Sequence, residues 1–258
     1  MDSVIGMVHL PALPGAPGFE GDRGAVRERA LADARALDTG GVDAVLVENF
    51  GDAPFYPERV PAHVVASMTD LVGRVARTVD VPVGVNVLRN DARAALSVAA
   101  ATGASFVRVN IHVGARVTDQ GVVEGRAHET ARLREELHAD VSVFADVGVK
   151  HSGALGREDV VGEAREAVER GLADGVVVSG AGTGAETDSE DLERVAALGA
   201  DLGVPVLVGS GVTPATVRDT LDTADGAIVG TALKENGETT APVDPERVAS
   251  LVSAVHGD

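Results

Sequence analysis

The sequence predicts a single (β/α)8 barrel, in which parallel strands alternate with helices around a closed sheet. Two observations carry this prediction, the length of the chain and the order of its segments. The chain has 258 residues, and barrels of this class routinely use about 250 residues as one unit. Eight short Val-rich runs alternate with longer helical segments, without an intervening linker. We therefore expect one barrel domain over residues 1–258, with an open doubly wound sheet as the alternative.

The Val-rich runs have the composition of strands that are buried on both faces, because they are almost continuous in valine and isoleucine. In chain order they cover residues 4–10, 42–48, 81–88, 105–111, 141–149, 175–179, 205–209 and 226–230. The segments predicted to be helical cover residues 25–38, 64–79, 92–101, 128–138, 157–173, 188–202, 216–221 and 245–255.

The predicted helix ends carry the expected capping residues. Asp188 and Asp244 stand at N-cap positions, where a carboxylate accepts hydrogen bonds from the first amides of a helix. Gly40, Gly103 and Gly203 follow helix ends, where a left-handed residue is favoured. Three Pro- and Gly-rich segments are predicted to be long loops at the mouth of the barrel, namely residues 11–24, 51–61 and 114–125.

Composition argues against several classes of function. Aromatic residues make up only 2% of the chain and there is no Trp, so a stacking platform for single-stranded nucleic acid is not expected. The net charge of −18 lacks the basic footprint of a nucleic-acid-binding protein. The chain has no Cys, which excludes thiol catalysis, disulfides and Cys-ligated zinc.

The same composition predicts a cytoplasmic protein. There is no apolar stretch long enough to span a membrane and no basic, apolar leader at the N-terminus. The acidic residues are dispersed, and Arg is used almost to the exclusion of Lys, as in salt-adapted proteins; a GC-rich genome is the alternative explanation. Of the 22 basic residues only Lys150 and Lys234 are lysines, and both follow predicted strands.

The fourth and fifth predicted strands carry the strongest functional signal, since active sites of such barrels lie at the carboxyl ends of the strands. Arg108, Asn110 and His112 alternate with apolar residues, so we expect them to point into the barrel. Asp146 and Lys150 share one face of the fifth strand by the same parity. Lys150 or Arg108 could stabilise negative charge on a substrate, whereas Arg108 and Asp146 could also form a purely structural ion pair.

Isomerisation and aldol-type cleavage both require a proton to be removed next to a carbonyl group. Asp146 or Glu48 is the predicted base, and His9 or His112 the predicted acid. The candidate catalytic residues are Asp146, Lys150, Glu48, Arg108, Asn110, His9 and His112.

Glycine-containing turns follow the seventh and eighth predicted strands. Barrels that bind phosphorylated substrates use these two loops, where exposed amides form an anion site. The candidate substrate-binding residues are Asn86, Ser179, Gly209, Ser210, Gly211, Gly230, Thr231 and Lys234.

Cofactor signals in the sequence are weak. The glycine-rich segment 180–184 lacks the spacing and the acidic residue of a dinucleotide-binding motif, so no nucleotide cofactor is expected. Glu48, Asp146 and Asn86 could share a Mg²⁺ ion through their oxygens, because hard cations prefer such ligands. We do not predict any residue to be a dedicated metal ligand.

Motifs distributed over almost the whole chain resemble those of one known family. They lie at residues 6–10 (GMVHL), 47–55 (VENFGDAPF), 84–91 (GVNVLRND), 106–110 (FVRVN), 146–152 (DVGVKHS), 179–184 (SGAGTG), 209–212 (GSGV) and 225–231 (DGAIVGT). With these motifs the chain resembles the BtpA/SgcQ family. The resemblance implies a phosphate-binding (β/α)8 barrel. It also implies one of two roles, because cyanobacterial members are linked to photosystem I accumulation and others resemble proteins of sugar-phosphate metabolism.

Two functions are therefore expected. The first is an enzyme, with isomerase or lyase chemistry, that acts on a small phosphorylated metabolite such as a sugar phosphate. The alternative is a non-catalytic assembly or regulatory protein that uses the barrel to bind a ligand or partner. Inward-facing Arg108, Asn110 and Asp146 favour the enzyme. The sequence leaves homo-oligomerisation open.

Overall fold

A computed structural model describes residues 3–149, 152–155, 159–180 and 188–256 and confirms the predicted barrel. The strands are β1 (Ser3–His9), β2 (Ala44–Glu48), β3 (Val83–Asn86), β4 (Phe106–Val109), β5 (Ala115–Thr118), β6 (Gly121–Glu124), β7 (Ser142–Val147), β8 (Gly153–Ala154), β9 (Gly175–Val178), β10 (Val206–Val208) and β11 (Gly226–Val229). The α-helices are α1 (Arg23–Thr39), α2 (Ala62–Val75), α3 (Ala92–Thr102), α4 (Ala127–Glu136), α5 (Val160–Glu169), α6 (Ser189–Leu202), α7 (Val217–Leu221) and α8 (Pro245–His256).

Eight of the strands form the closed barrel, in the order β1-β11-β10-β9-β7-β4-β3-β2. All pairs in this sheet are parallel. The barrel closes between β1 and β11, where Ser3 is in register with Gly226. The connections between successive barrel strands contain helices, which is why the strands are valine-rich on both faces.

Side chains that point into the barrel are apolar in its lower half and polar at its upper, carboxyl end. Along β1 the inward positions are Ile5, Met7 and then His9, and along β2 they end in Glu48. In the lower half, the rings of Phe106 and Phe144 meet edge to face, with centroids 5.8 Å apart. The sequence therefore fills the base of the barrel with a core and leaves its top available for chemistry.

Glycine makes room for the two rings. A Cβ atom on Gly84 of β3 would overlap the ring of Phe106, and a Cβ atom on Gly175 of β9 would overlap the ring of Phe144. Protein interiors are close-packed, so each ring requires a neighbour without a side chain.

The predicted helix caps are largely confirmed. Asp188 accepts hydrogen bonds from two amides of the first turn of α6, and Asp244 does the same for α8. Gly103 and Gly203 have positive φ angles of 76° and 71°. Gly40 does not, with φ −76°. Its lack of a side chain has a different reason, because a Cβ atom there would overlap Val248 of α8.

The segment 114–125 was expected to be a loop, and this expectation is wrong. β5 and β6 pair antiparallel, and β8 adds a third strand on the other side of β5. Gly114, just before β5, and Gly121, the first residue of β6, have positive φ angles, which glycine adopts readily. Glycine at these two positions permits the hairpin, although the Gly-rich composition of the segment had predicted a loop. Among the helices of the described ranges, none has the length and apolar character needed to cross a membrane.

Candidate functional site

A cavity of about 390 Å³ opens at the carboxyl ends of the barrel strands. Its volume lies within the range of small-molecule sites. Nine residues predicted from the sequence line it: His9, Glu48, Arg108, Asn110, Gly209, Ser210, Gly211, Gly230 and Thr231. The structure thus brings together most of the predicted catalytic and substrate-binding residues in one place.

Arg108 and Asp146 form a buried ion pair across β4 and β7. Arg108 donates from Nε to Asp146 Oδ1 (2.7 Å) and from Nη2 to Oδ2 (2.9 Å). Asn110 Nδ2 donates to the same Oδ2 at 3.0 Å. The Arg108 side chain reaches the cavity, whereas Asp146 is not among its described lining residues. Asp146 therefore lies behind Arg108 and holds the guanidinium group in place.

Asn86, at the end of β3, extends this network. Its Nδ2 donates to the carbonyl oxygen of Arg108 (2.8 Å) and to Asn110 Oδ1 (3.1 Å). On the other side, Arg108 Nη2 lies 3.5 Å from Ser179 Oγ. These residues are all buried. A network with this many contacts gives Arg108 one fixed orientation.

The two arginines of the cavity differ in their electrostatics. Burial alone would lower the pKa of Arg108, but the charge and hydrogen bonds of Asp146 outweigh it and raise that pKa. Arg89 is also buried, and burial lowers its pKa despite the opposing charges of Asp146, Asp119 and Glu48. Arginine side chains stay protonated in proteins, so both groups are cationic. The cavity of this acidic protein thus contains two guanidinium groups.

His9 and Glu48 stand side by side at the ends of β1 and β2, where they are in register. His9 Nε2 is 3.8 Å from Glu48 Oε1. The other ring nitrogen, Nδ1, is 3.2 Å from the carbonyl oxygen of Thr239. The ring also packs against Phe50, with centroids 4.8 Å apart. A carboxylate and an imidazole therefore face the cavity together, the combination that proton transfer requires.

Residues of two loops form the adjacent wall, because β11 pairs with β1 in the barrel. Gly211 and Val212 follow β10, and Thr231 and Ala232 follow β11. In the described part of the chain, these four N–H groups donate no hydrogen bond to a backbone or side-chain acceptor. The loops approach the other wall closely, since a Cβ atom on Gly230 would lie 2.8 Å from His9 Cε1. Backbone N–H groups that have no acceptor in the described ranges, on residues that line one cavity, are suited to an anion.

Two predicted residues lie elsewhere. Lys234 is fully buried outside the barrel, where its Nζ is 3.1 Å from Asp33 Oδ2 on α1. The expectation that it reaches the substrate disagrees with this geometry. His112 lies beyond the end of β4, so strand parity no longer directs it inward. Its Nε2 is 2.9 Å from the carbonyl oxygen of Gly171, and burial lowers its pKa, which keeps the ring neutral.

Lys150 lies outside the described residues, as do His151 and the segment 181–187. Its predicted catalytic role stays a prediction. The cavity-lining residues that the sequence reasoning missed include Arg89 and Phe50. Both lie past the ends of strands, where the alternation of side chains along a strand no longer predicts their direction. The feature that could have identified them is their position shortly after the ends of β3 and β2.

The described residues do not fit the Mg²⁺ site considered for Glu48, Asp146 and Asn86. Asn86 Oδ1 is a buried oxygen without a hydrogen-bond partner in the described ranges, which would suit a cation. However, the Arg108 guanidinium donates hydrogen bonds to both carboxylate oxygens of Asp146. The positive charge of Arg108 therefore already neutralises this carboxylate, as a metal ion would. Within those ranges, no three His, Cys, Asp or Glu residues cluster as metal ligands would.

Fold and cavity define a (β/α)8-barrel protein with a ligand-sized site at the carboxyl end of its strands. Among such proteins, the chain belongs to the BtpA family, whose model matches residues 1–257. It is 46% identical to the "Photosystem I biogenesis protein BtpA" of Synechocystis over 252 residues, 98% of this chain and 87% of that protein. It is 35% identical to the "Putative sgc region protein SgcQ" of Escherichia coli, over 98% of this chain and 94% of that one.

Solved structures support the fold. N-(5'-phosphoribosyl)anthranilate isomerase from Pyrococcus furiosus superposes with a TM-score of 0.58 at 16% sequence identity, over 100% of both chains. At that identity the similarity extends to the architecture alone. It agrees with the parallel, closed sheet of this chain.

Proposed function

We propose that this protein is an enzyme that acts on a small phosphorylated metabolite, such as a sugar phosphate, by isomerisation or lyase-type chemistry. One observation carries the proposal. A single cavity is lined on one wall by four amides without protein acceptors in the described ranges and on the other by the His9–Glu48 pair. The first wall suits a phosphate group, and the second suits a proton transfer.

The phosphate would bind at the loops after β10 and β11. The amides of Gly211, Val212, Thr231 and Ala232 would donate hydrogen bonds to its oxygens, as in other anion sites built from backbone. The net charge of −18 repels anions at long range. Arg108 and Arg89 would offset this inside the cavity, where charges are less screened by solvent.

Proton transfer would be carried out by Glu48 and His9. Glu48 would take a proton from the carbon next to the substrate carbonyl, and His9, in its doubly protonated form, would give its Nε2 proton to the carbonyl oxygen, which yields an enediol. Arg108 would stabilise negative charge that develops on that oxygen. Asp146 is less suited to be the base, because its two oxygens already accept three hydrogen bonds. We assign it to orienting Arg108.

Ligand-induced stabilisation tests this proposal. Thermal unfolding is followed with a panel of sugar phosphates, with the parent sugars and with inorganic phosphate, each with and without Mg²⁺. A ligand at 100 times its Kd adds about 2.7 kcal/mol, which raises the Tm of a domain of this size by about 5–10 °C. We expect phosphorylated compounds to stabilise the protein and the parent sugars to leave it unchanged.

A pair of glycine variants localises the effect. Gly211→Asp places a carboxylate in the proposed anion site and should abolish stabilisation by phosphate compounds. Gly203→Asp is its matched control, because Gly203 also has a positive φ but caps α6 away from the cavity. Equal stabilisation of both variants would exclude a phosphate site at this loop.

The second candidate function is a non-catalytic assembly or regulatory role. It is supported by the name of the 46% identical relative, a photosystem I biogenesis protein. A purely binding protein should tolerate Glu48→Gln with no loss of function, whereas an enzyme should not. Once a stabilising phosphate compound is known, its turnover in the wild type and in Glu48→Gln, followed by ¹H NMR, separates the two functions.

A further inference from the structure

The segment that joins β11 to α8 forms a strap beside the cavity. We define the strap as residues 234–243. Its two ends pair with each other through an antiparallel bridge between Lys234 and Val243, and the amide of Glu235 donates to the carbonyl oxygen of Pro242 (2.9 Å). The strap is thus a closed loop whose ends are joined. Apart from Lys234, no residue of the strap was predicted to contact the site.

A buried carboxylate on α1 anchors the base of the strap. Asp33 accepts hydrogen bonds from Lys234 Nζ at 3.1 Å and from the amide of Val243 at 2.9 Å. Arg29, one turn earlier on the helix, donates to Asp33 at 3.0 Å and to the carbonyl oxygen of Thr240 at 3.2 Å. Both ends of the strap and its outer part are therefore fixed to the same helix.

The backbone of the strap contacts His9. The carbonyl oxygen of Thr239 lies 3.2 Å from His9 Nδ1. A carbonyl oxygen can only accept, so this hydrogen bond requires a proton on Nδ1. In a neutral ring, the lone pair then resides on Nε2, the nitrogen that lies 3.8 Å from Glu48. The strap thus selects which nitrogen of His9 exchanges protons with the cavity.

The side chain of the same strap residue contacts the loop after β11. The hydroxyl oxygens of Thr239 and Thr231 are 2.8 Å apart. Thr231 contributes one of the four amides of the proposed phosphate site. One residue of the strap therefore touches both walls of the cavity, through its carbonyl on one side and its hydroxyl on the other.

From these contacts we propose that Thr239 is a positioning residue, held in place by the buried Lys234–Asp33 anchor. It fixes the Nδ1–H form of His9 and holds the loop of Thr231 in the conformation that binds an anion. The second part rests on the proposed function, whereas the first part does not. This gives Lys234 a role in the site although its own side chain never reaches the cavity.

The state of His9 is read by ¹⁵N NMR of the imidazole nitrogens, with His9→Gln used to assign the signals. We expect Nδ1 to carry a proton, either in the neutral Nδ1–H form or in the doubly protonated ring. A neutral ring with its proton on Nε2 would overturn the proposal. This measurement needs no ligand, so it stands even if the protein binds no phosphate.

The anchor is tested by the same signal. Lys234→Met should distribute the His9 proton between both nitrogens, since the strap loses its fixed position. If this variant does not fold, Arg29→Met serves instead, because it removes contacts to Asp33 and Thr240 from a side chain that is 23% exposed. If a folded Lys234→Met or Arg29→Met variant gave the same His9 ¹⁵N spectrum as the wild type, the anchoring role would be contradicted.

The hydroxyl contact is tested by binding of inorganic phosphate, measured by calorimetry. Thr239→Val keeps the shape of the side chain and removes the hydroxyl group, which should weaken phosphate binding about two- to tenfold. Thr240→Val is the matched control, since the side chain of this exposed neighbour makes no hydrogen bond in the described ranges, and it should bind as the wild type does. If the wild type itself does not bind phosphate, the proposed function fails. If the wild type binds and Thr239→Val binds equally, only the positioning role fails.

Discussion

Two buried ion pairs of this protein differ in what lies next to them. Arg108–Asp146 is inside the barrel with a 4% exposed arginine side chain, and Lys234–Asp33 is outside it with a fully buried lysine. Only the first pair adjoins the cavity. Burial of a charge alone therefore does not identify a functional group, because one pair orients a side chain toward the cavity and the other fastens a loop to a helix.

The two cations also respond differently to burial. Burial lowers the pKa of Lys234, and Asp33 opposes this only in part. For Arg108, the charge and bidentate contact of Asp146 more than compensate for burial, so its pKa is raised. A planar guanidinium offers two parallel donors to a carboxylate, which an ammonium group cannot do.

The largest effect should follow removal of the negative charge inside the barrel. Asp146→Asn leaves the Arg108 guanidinium buried without its counterion and should lower the free energy of unfolding by about 3–5 kcal/mol. Urea unfolding measures the loss. Asp201→Asn, on the exposed face of α6, should change it by less than about 0.5 kcal/mol. A small loss at Asp146 would mean that solvent reaches this pair.

Lys234→Met should have a smaller effect, about 1–3 kcal/mol. Asp33 keeps two other donors in this variant, Arg29 Nε and the amide of Val243, so its charge is not left alone. Urea unfolding of the two single variants and of the double variant Lys234→Met/Asp33→Asn measures the coupling. A loss as large as that of Asp146→Asn would remove the distinction between the two pairs.

The smallest effect is a dependence of stability on alkaline pH. The pKa of Lys234 lies below its ordinary value of 10.5, so between the two values the unfolded chain binds more protons than the folded one. The stability of the wild type relative to Lys234→Met should therefore rise with pH in that window. Relative to Arg108→Met it should stay constant there, because the guanidinium keeps its proton. If the stability of the wild type relative to Lys234→Met fell as the pH rose, the direction of the Lys234 pKa shift would be contradicted.

Sequence periodicity was sufficient to predict the barrel and the direction of side chains inside regular strands. Arg108 and Asp146 were placed correctly because parity holds along β4 and β7. His112 was misplaced because β4 ends at Val109, after which the chain turns and alternation has no meaning. Lys234 was misjudged because the rarity of lysine in the sequence does not indicate where its side chain points. Its partner Asp33 is 201 residues away in sequence, and only the fold shows that contact.

The paired ring and glycine at the base of the barrel have a consequence for how sequences of this family vary. The ring of Phe106 occupies the space that a side chain at residue 84 would need, and the ring of Phe144 does the same for residue 175. A mutation that adds a methyl group at 84 becomes acceptable only together with a smaller residue at 106. In an alignment of relatives, these two columns should therefore change in concert, as a compensated exchange between neighbouring strands. Neighbouring columns on the helix-facing side of β3 should drift independently of residue 106.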